Sequence, residues 1–377
     1  MKIDLSHRKF LLLNDYLPYS SADMNIFTLL RFIGNSDNIG NIVFLDAINR
    51  SLPGIHNISS RDFIKFQGRF DPDYVIVLAL ANFLSDTWTA PKGFLEALSR
   101  HRIVLFSVGV QGQLGKEADI ALSEDAKSIL ELARASGTLI GVRGEISHRY
   151  LAELGIESLA IGCPSVHQAP AEITCATPLA EAKICTSNTM RGFHREIAKK
   201  VNLFALEYCS GYMLQTESAI MADCMDLPEE VVAFIAKQSG NPHHADLLRN
   251  KLFDYGYYNE VPEQWSVLRS WFKQYAQFNY TVEAWRAYAS QFDYCIGTRF
   301  HGNVMALQAG VPSLIIPVDA RVADMAQFHR LPTISIEDFS GIDDISELAS
   351  HLDFTDYQQH HSINQELYSE FLKANFQ

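Results

Sequence analysis

The chain has 377 residues, 47% of them hydrophobic and 20% charged, the make-up of a globular protein with enough residues for about two domains of roughly 150 residues each. Its 31 Lys and Arg against 44 Asp and Glu give a formal net charge of -13. Neutralising a nucleic-acid backbone needs a concentrated field of Lys and Arg, so nucleic acid is excluded as a main partner. A small anionic substrate is not excluded, because a few well-placed arginines make one cleft positive within an acidic protein.

The six cysteines, Cys163, Cys175, Cys185, Cys209, Cys224 and Cys295, form no C-x-x-C pair and are spread over the whole chain. They read as reduced, mostly buried thiols, which predicts a cytoplasmic protein. The start of the chain lacks the apolar core of a signal peptide, and the run Phe10 to Leu13 is too short to supply one. The most apolar later stretch, Tyr74 to Leu84, falls short of the roughly 20 residues that span a bilayer. Any membrane contact is therefore expected to be peripheral, at the inner face.

In chain order, the first half alternates short β-rich runs with amphipathic helical patterns, the rhythm of a parallel sheet covered by helices on both faces. The predicted strands are Phe10–Leu13, Tyr74–Ala79, Ile103–Val108, Leu139–Val142 and Leu159–Ile161; the predicted helices are Ile42–Leu52, Gly93–Ser99, Glu124–Ala135 and Glu145–Leu154. Ser123 is placed to cap the third helix and Gly137 to end it. These elements make one doubly wound α/β domain over residues 1–175. A linker-like stretch from Ala169 to Ala182, with Pro170 and Pro178, leads to a second α/β domain over 183–350 that opens at Lys183-Ile184-Cys185-Thr186. Its middle, about 209–280, lacks strand alternation and offers helical patterns at Glu229–Lys237 and Gln264–Tyr275, so it reads as a helical insertion. Beyond it lie a strand at Tyr294–Ile296, a helix from about Gly302 to Ala309, a stop at Gly310 with Pro312 after it, and a strand at Ser313–Ile316. The last segment, 351–377, carries a helical pattern from Asp356 to Phe376 that is expected to return to the first domain.

In an open α/β sheet, ligands bind beyond the carboxyl ends of strands, where helix N-termini present backbone N–H groups and partial positive charge. Gly297-Thr298-Arg299-Phe300-His301-Gly302-Asn303 occupies such a strand-to-helix junction. Arg299 brings a guanidinium whose fork suits phosphate or carboxylate, and His301 a group that titrates near neutrality. Gly297 and Gly302 let a ligand approach the backbone. The plainer alternative pairs Arg299 with Asp293 and makes His301 a helix cap; both residues falling at one junction between two glycines favours function.

The run Phe292 to Asn303, followed by Ala306-Leu307-Gln308-Ala309-Gly310-Val311-Pro312 and Asp319, resembles the C-terminal signature of polysaccharide pyruvyl transferases. Trp285, Val142-Arg143-Gly144-Glu145, Gly162-Cys163-Pro164-Ser165, and the loop from Gly34-Asn35 to Gly40-Asn41 resemble further segments of that family. The resemblance implies a glycosyltransferase-B-like fold of two Rossmann-like domains facing a cleft, with the acceptor on the N-terminal side and the donor on the C-terminal side. It implies an enzyme that moves an enolpyruvyl-derived unit from phosphoenolpyruvate to a sugar of a surface polysaccharide or a lipid-linked oligosaccharide precursor, forming a pyruvate ketal. Arg299 would hold the donor's phosphate or carboxylate and His301 would act as general acid or phosphate ligand, with Gly302 and Asn303 beside them. Phosphoenolpyruvate is then a substrate, and neither a metal nor a cofactor is expected.

Arg143, at the carboxyl end of a predicted strand, is the candidate for a second arm across the cleft; pairing with Glu145 or Glu153 is its alternative. Arg321, near Asp319, is a further candidate against an ordinary salt bridge. The loop Val108 to Gly115, containing Gly109, could touch phosphate or acceptor but matches no nucleotide-binding spacing, and a plain turn explains it as well. His167 could face the cleft. His243-His244 lacks metal-ligand spacing, and Ser187 and Ser210 lack a nucleophile-elbow context. Tyr255, Tyr257, Tyr258, Trp265, Trp271 and Tyr275 read as helix packing or as sugar-stacking groups. Two rival functions stand: a nucleotide-sugar glycosyltransferase, with Glu337 or Asp338 as ribose ligand, and a non-catalytic glycan-binding protein.

Overall fold

In the computed structural model, the described residues are 2–4, 9–15, 38–112, 120–188, 195–215, 228–230, 232–233, 262–279 and 281–377. Gly34-Asn35, the end of the glycine-rich loop from Gln113 to Gly115, His243-His244, Tyr255, Tyr257, Tyr258 and most of Glu229–Lys237 lie outside them.

The N-terminal half runs β1 (Phe10–Leu13), α1 (Asn41–Ser51), β2 (His56–Ile58), α2 (Ser60–Lys65), β3 (Val75–Leu78), α3 (Phe94–Leu98), β4 (Arg102–Leu105), α4 (Glu124–Ala135), β5 (Ile140–Val142), α5 (Glu145–Glu153) and β6 (Ser158–Ala160). All strand pairs are parallel, in the order β2-β1-β3-β4, and the pair β5-β6 is joined to them by the bridge Val108–Val142. The strands are apolar on both faces. Leu11, Leu13, Ile76, Leu78, Ile103 and Leu105 enter one buried cluster, while Phe10, Leu12, Val77 and Val104 enter the other, as expected where helices cover both sides of a parallel sheet. Ser123 caps α4 by accepting from the Ala126 amide.

The C-terminal half runs β7 (Ile184–Thr186), α6 (Arg195–Tyr208), β8 (Cys209–Leu214), α7 (Pro262–Tyr275), β9 (Ala276–Phe278), α8 (Val282–Ala289), β10 (Tyr294–Gly297), α9 (Phe300–Gln308), β11 (Ser313–Ile315), α10 (Ala320–Phe328), α11 (Ile336–Ser340) and α12 (Thr355–Phe376). Its parallel sheet has the order β11-β10-β7-β8-β9. The chain leaves β7 in one direction and returns at β10 to build the other, so the switch point, the place where open α/β sheets bind ligands, lies between these two strands. The chain is thus α/β with two Rossmann-like domains.

The helical insertion expected over 209–280 is corrected at both ends. Cys209–Leu214 and Ala276–Phe278 are strands of the second sheet. β8 gave no alternation because it is central and buried on both faces, and Gly211 within it makes room for the Phe292 ring. The helix expected from Gly302 starts at Phe300, because the chain is already helical at the end of the tight junction with β10.

α12 crosses back to the first sheet. Asn375 exchanges two hydrogen bonds with the backbone of Leu139, at 3.1 and 3.0 Å, and the Tyr368 hydroxyl donates to Ser51 Oγ. Phe371 and Phe376 pack on Phe106, and Phe376 also meets Phe10. Among the described residues no helix is long and apolar enough to cross a membrane. Phe371 is fully buried, so Phe371→Ala is expected to destabilise the protein by about 3–5 kcal/mol in urea unfolding. A loss below about 1 kcal/mol would show that α12 is not part of the core.

Candidate active site

The switch point is lined by the ends of β7 and β10. Arg299 sits at the N-cap position of α9, its amide donating to Ser187 O at 2.9 Å and its Nε to Asn188 O at 3.2 Å. Asp293 takes its bonds from Thr177 and the Lys183 amide instead, which removes it as the alternative partner of Arg299. Asn303 turns its Nδ2 back to the carbonyls of Gly297 and Arg299, at 3.0 and 2.9 Å, and so stitches the strand-to-helix turn. A side chain at Gly302 would collide with Ser187, so this glycine sets how closely α9 approaches β7.

His301 projects from the first turn of α9 into the other domain. Its ring lies 5.7 Å from that of Phe44 on α1, its Nε2 lies 3.7 Å from Cys163 Sγ, and its Nδ1 faces Gly40 at the start of α1. Four segments far apart in sequence thus meet at one point: Gly40, Arg143, Cys163 and His301.

Arg143 follows β5 and is 2% exposed. Its Nε donates to Ser107 O at 2.9 Å, its Nη1 reaches Met325 Sδ at 3.0 Å, and its guanidinium lies 5.3 Å over the Phe44 ring. None of these partners carries a charge, and Nη2 is buried without a hydrogen-bond partner. Burial pushes its pKa down to about 10. Neither Glu145 nor Glu153 compensates it. Gly109 backs the Arg143 side chain, so a larger residue there would push against its methylenes. Ser107, which accepts from Arg143, is a non-glycine residue at φ 54 and is tied by its hydroxyl to Gly162 O at 2.8 Å, a strained backbone held by its surroundings next to a buried charge.

Arg321 donates to Asn82 across the domain boundary and pairs with Asp319, whose carboxylate also caps α10 through the Val322 amide. Burial first, then Arg143, Arg321 and Arg299, holds the His301 pKa well below its ordinary value. His301 is neutral in this arrangement, and three guanidiniums set a positive field at its ring.

Several residues of the seam left no motif in the sequence. Asp324 of α10 caps α5 of the other domain, accepting from the Ile146 and Ser147 amides at 2.9 and 3.1 Å and from Ser147 Oγ at 2.7 Å. His329 Nε2 accepts from the Cys163 amide at 2.9 Å, made possible by Gly162 at φ 70 with no side chain in the way. Gln308 donates to Ser165 O at 2.7 Å, and the Ile39 amide to Gln215 O at 3.1 Å. A helix N-cap supplied from another domain has no sequence spacing to betray it.

Other candidates lie elsewhere. His167 is buried and hydrogen-bonded to Ile161 O, and its ring stacks on Tyr368 at 4.3 Å; it supports α12. Trp285 is buried with its Nε1 on Met213 Sδ. Trp271 packs edge-on against Tyr212 and Phe272 within the second domain. Glu337 and Asp338 sit in α11, where Asp338 bonds Ser335 at the cap of its own helix.

Residues 36–320 match the profile of the polysaccharide pyruvyl transferase family, and the chain belongs to that family. No curated protein matches it. Among solved structures it is similar to a protein of Listeria monocytogenes assigned as a UDP-N-acetylglucosamine 2-epimerase, with 8% identity and a TM-score of 0.42 over 100% of this chain and 92% of that one. It is also similar to the calicheamicin glycosyltransferase CalG4, with 12% identity and a TM-score of 0.32 over 95% of this chain and 81% of that one. Family membership makes the protein a transferase of polysaccharide biosynthesis.

The histidines make stability pH-dependent. Burial pushes the His167 pKa down to about 4 and lowers those of His301 and His329 well below their ordinary value. The unfolded chain therefore binds more protons than the folded one below about pH 6.5. Stability is full above that pH and is lost as pH falls towards the folded values, with His167 alone contributing about 3 kcal/mol by pH 4. Urea midpoints at pH 7.5, 5.5 and 4.5 should fall steadily, and less steeply in His167→Gln; a flat profile would contradict the burial of neutral histidines.

Proposed function

We propose that the protein transfers an enolpyruvyl-derived group from phosphoenolpyruvate to two hydroxyls of a sugar in a surface polysaccharide or its lipid-linked precursor, giving a pyruvate ketal and inorganic phosphate. The observation that carries this reading is Arg143: a buried guanidinium with neutral partners and an unpaired Nη2, on the same seam as His301, Arg299 and Arg321. Asp324 and Asp319 favour the charge only from a distance; a buried cation with no carboxylate bonded to it is costly, and an anionic ligand with a phosphate and a carboxylate supplies the direct partner. Arg299 and Arg143 hold these two groups from opposite domains.

The same field gives His301 a reason to act only when donor is bound. Burial and then the guanidiniums disfavour its protonated form; negative charge arriving beside it offsets the guanidiniums, so the imidazole takes up a proton. It passes that proton to the methylene carbon of phosphoenolpyruvate, leaving an oxocarbenium-like centre at the adjacent carbon. One sugar hydroxyl attacks this centre and returns its proton to His301. Phosphate then leaves with the electrons of its carbon–oxygen bond, its charge held by arginine and by the N-terminus of α9, and the second hydroxyl closes the ketal and gives its proton to phosphate. The chemistry calls for no metal and no organic cofactor.

Incubation of the purified protein with phosphoenolpyruvate should release phosphate only when an acceptor glycan is present. His301→Ala should lower the rate by about 100- to 10,000-fold, and Arg299→Ala should abolish measurable turnover. Tight binding of a nucleotide sugar, with indifference to phosphoenolpyruvate, would overturn the reading.

A further inference from the structure

Asn188 lies two residues beyond the end of β7 at the switch point, bonded through its carbonyl to Arg299, and no sequence pattern marked it. It is 2% exposed. Two of its polar groups are oriented by neighbours. Its carbonyl oxygen accepts from Arg299 Nε at 3.2 Å and from the Tyr212 hydroxyl at 3.4 Å. Its Oδ1 accepts from the Thr298 amide at 3.3 Å, with the Thr186 hydroxyl 3.1 Å away. Because a backbone N–H only donates, the oxygen of the amide must face Thr298, and the orientation of the side chain is thereby fixed. The nitrogen is left on the other side, and Nδ2 is buried without a hydrogen-bond partner. Leaving a buried donor unpaired is unfavourable, so such a group beside the switch point calls for a ligand acceptor.

The surroundings say what that acceptor carries. Asn188 lies beside the N-terminus of the nine-residue helix α9, whose N-cap residue makes no side-chain cap hydrogen bond and whose dipole presents partial positive charge. Arg299 stands at the N-cap position of the same helix. A donor amide, a guanidinium and a helix N-terminus together favour an oxyanion over a neutral sugar hydroxyl.

We propose that the Asn188 side-chain amide is a further binding group for the anionic end of the donor, forming with Arg299 a clamp across the ends of β7 and β10. Its carbonyl holds Arg299 by Nε, while Nδ2 donates to an oxygen of the phosphate or carboxylate that Arg299 meets. The inference rests on the functional reading above only for the identity of the donor; the anion site itself is tested separately, with inorganic phosphate.

Asn188→Asp keeps the acceptor that faces Thr298 and removes the donor. Thermal unfolding of wild type in increasing inorganic phosphate should show a concentration-dependent rise in Tm, and N188D should require at least 10-fold more phosphate for the same rise, with its phosphate-free Tm close to wild type. In turnover, N188D should raise the KM for phosphoenolpyruvate by 10-fold or more and leave the KM for acceptor unchanged. As a measurement on unaltered protein, the side-chain amide signals of Asn188 in 15N-asparagine-labelled wild type should shift on phosphate addition. Unmoved Asn188 signals, or N188D binding phosphate as wild type does, overturn the proposal, whatever the variant's stability. If phosphoenolpyruvate is not turned over but the phosphate response is present in wild type and lost in N188D, the clamp stands and the assigned donor falls.

Discussion

A guanidinium that gives up its water has to be repaid by hydrogen bonds or by an opposite charge. Arg143 gets the first only in part, from a carbonyl, a thioether and an aromatic face, and the second only at a distance, from Asp324 and Asp319. Around that one residue the rest of the site is arranged. Gly109 leaves room for its methylenes, the strained Ser107 turns a carbonyl to it, Phe44 lies under its face, and Met325 of the second domain closes over it. Burial first, and then its charge with those of Arg321 and Arg299, holds the His301 pKa well below its ordinary value. The overall charge of -13 is no obstacle, since local placement and burial decide the field in a crevice.

The seam that buries Arg143 is held by bonds between backbone and side chains of opposite domains rather than by a broad apolar face alone. Asp324 capping α5, His329 receiving the Cys163 amide, Gln308 on Ser165 and Arg321 on Asn82 each fix the position of one domain against the other. Burial raises the Asp324 pKa, against the hydrogen bonds from Ser147 and Ile146 that lower it, so this cap is a buried carboxylate held by amides rather than by a cation. α12, threaded back over the first sheet, ties the end of the chain to its beginning through Asn375 and Tyr368.

Local chemistry writes itself into sequence, and tertiary chemistry does not. The junction Gly297–Asn303 was readable because its strand, turn and helix lie within a few residues, with Gly310 and Pro312 marking the helix stop. The succession of short β-rich runs and amphipathic helical patterns in the first half was readable for the same reason. β8 was not, because a central strand covered on both faces has no alternation to show and carries a glycine for a distant phenylalanine. Asn188, Asp324 and His329 were not, because each acts on a residue more than a hundred positions away.

The sequence by itself determined the α/β class, the family, and the segments that carry Arg143, Arg299 and His301. It could not say that these segments share one seam, because loop entropy and packing, not spacing, choose which strand ends face each other across a domain boundary. Nor could it give the charge state of His301, since a histidine's pKa follows from burial and from neighbouring charges that only the folded chain brings within reach. Tertiary structure decided that Arg143 is desolvated, hydrogen-bonded only to neutral groups and left with an unpaired Nη2, a feature invisible in a list of residues.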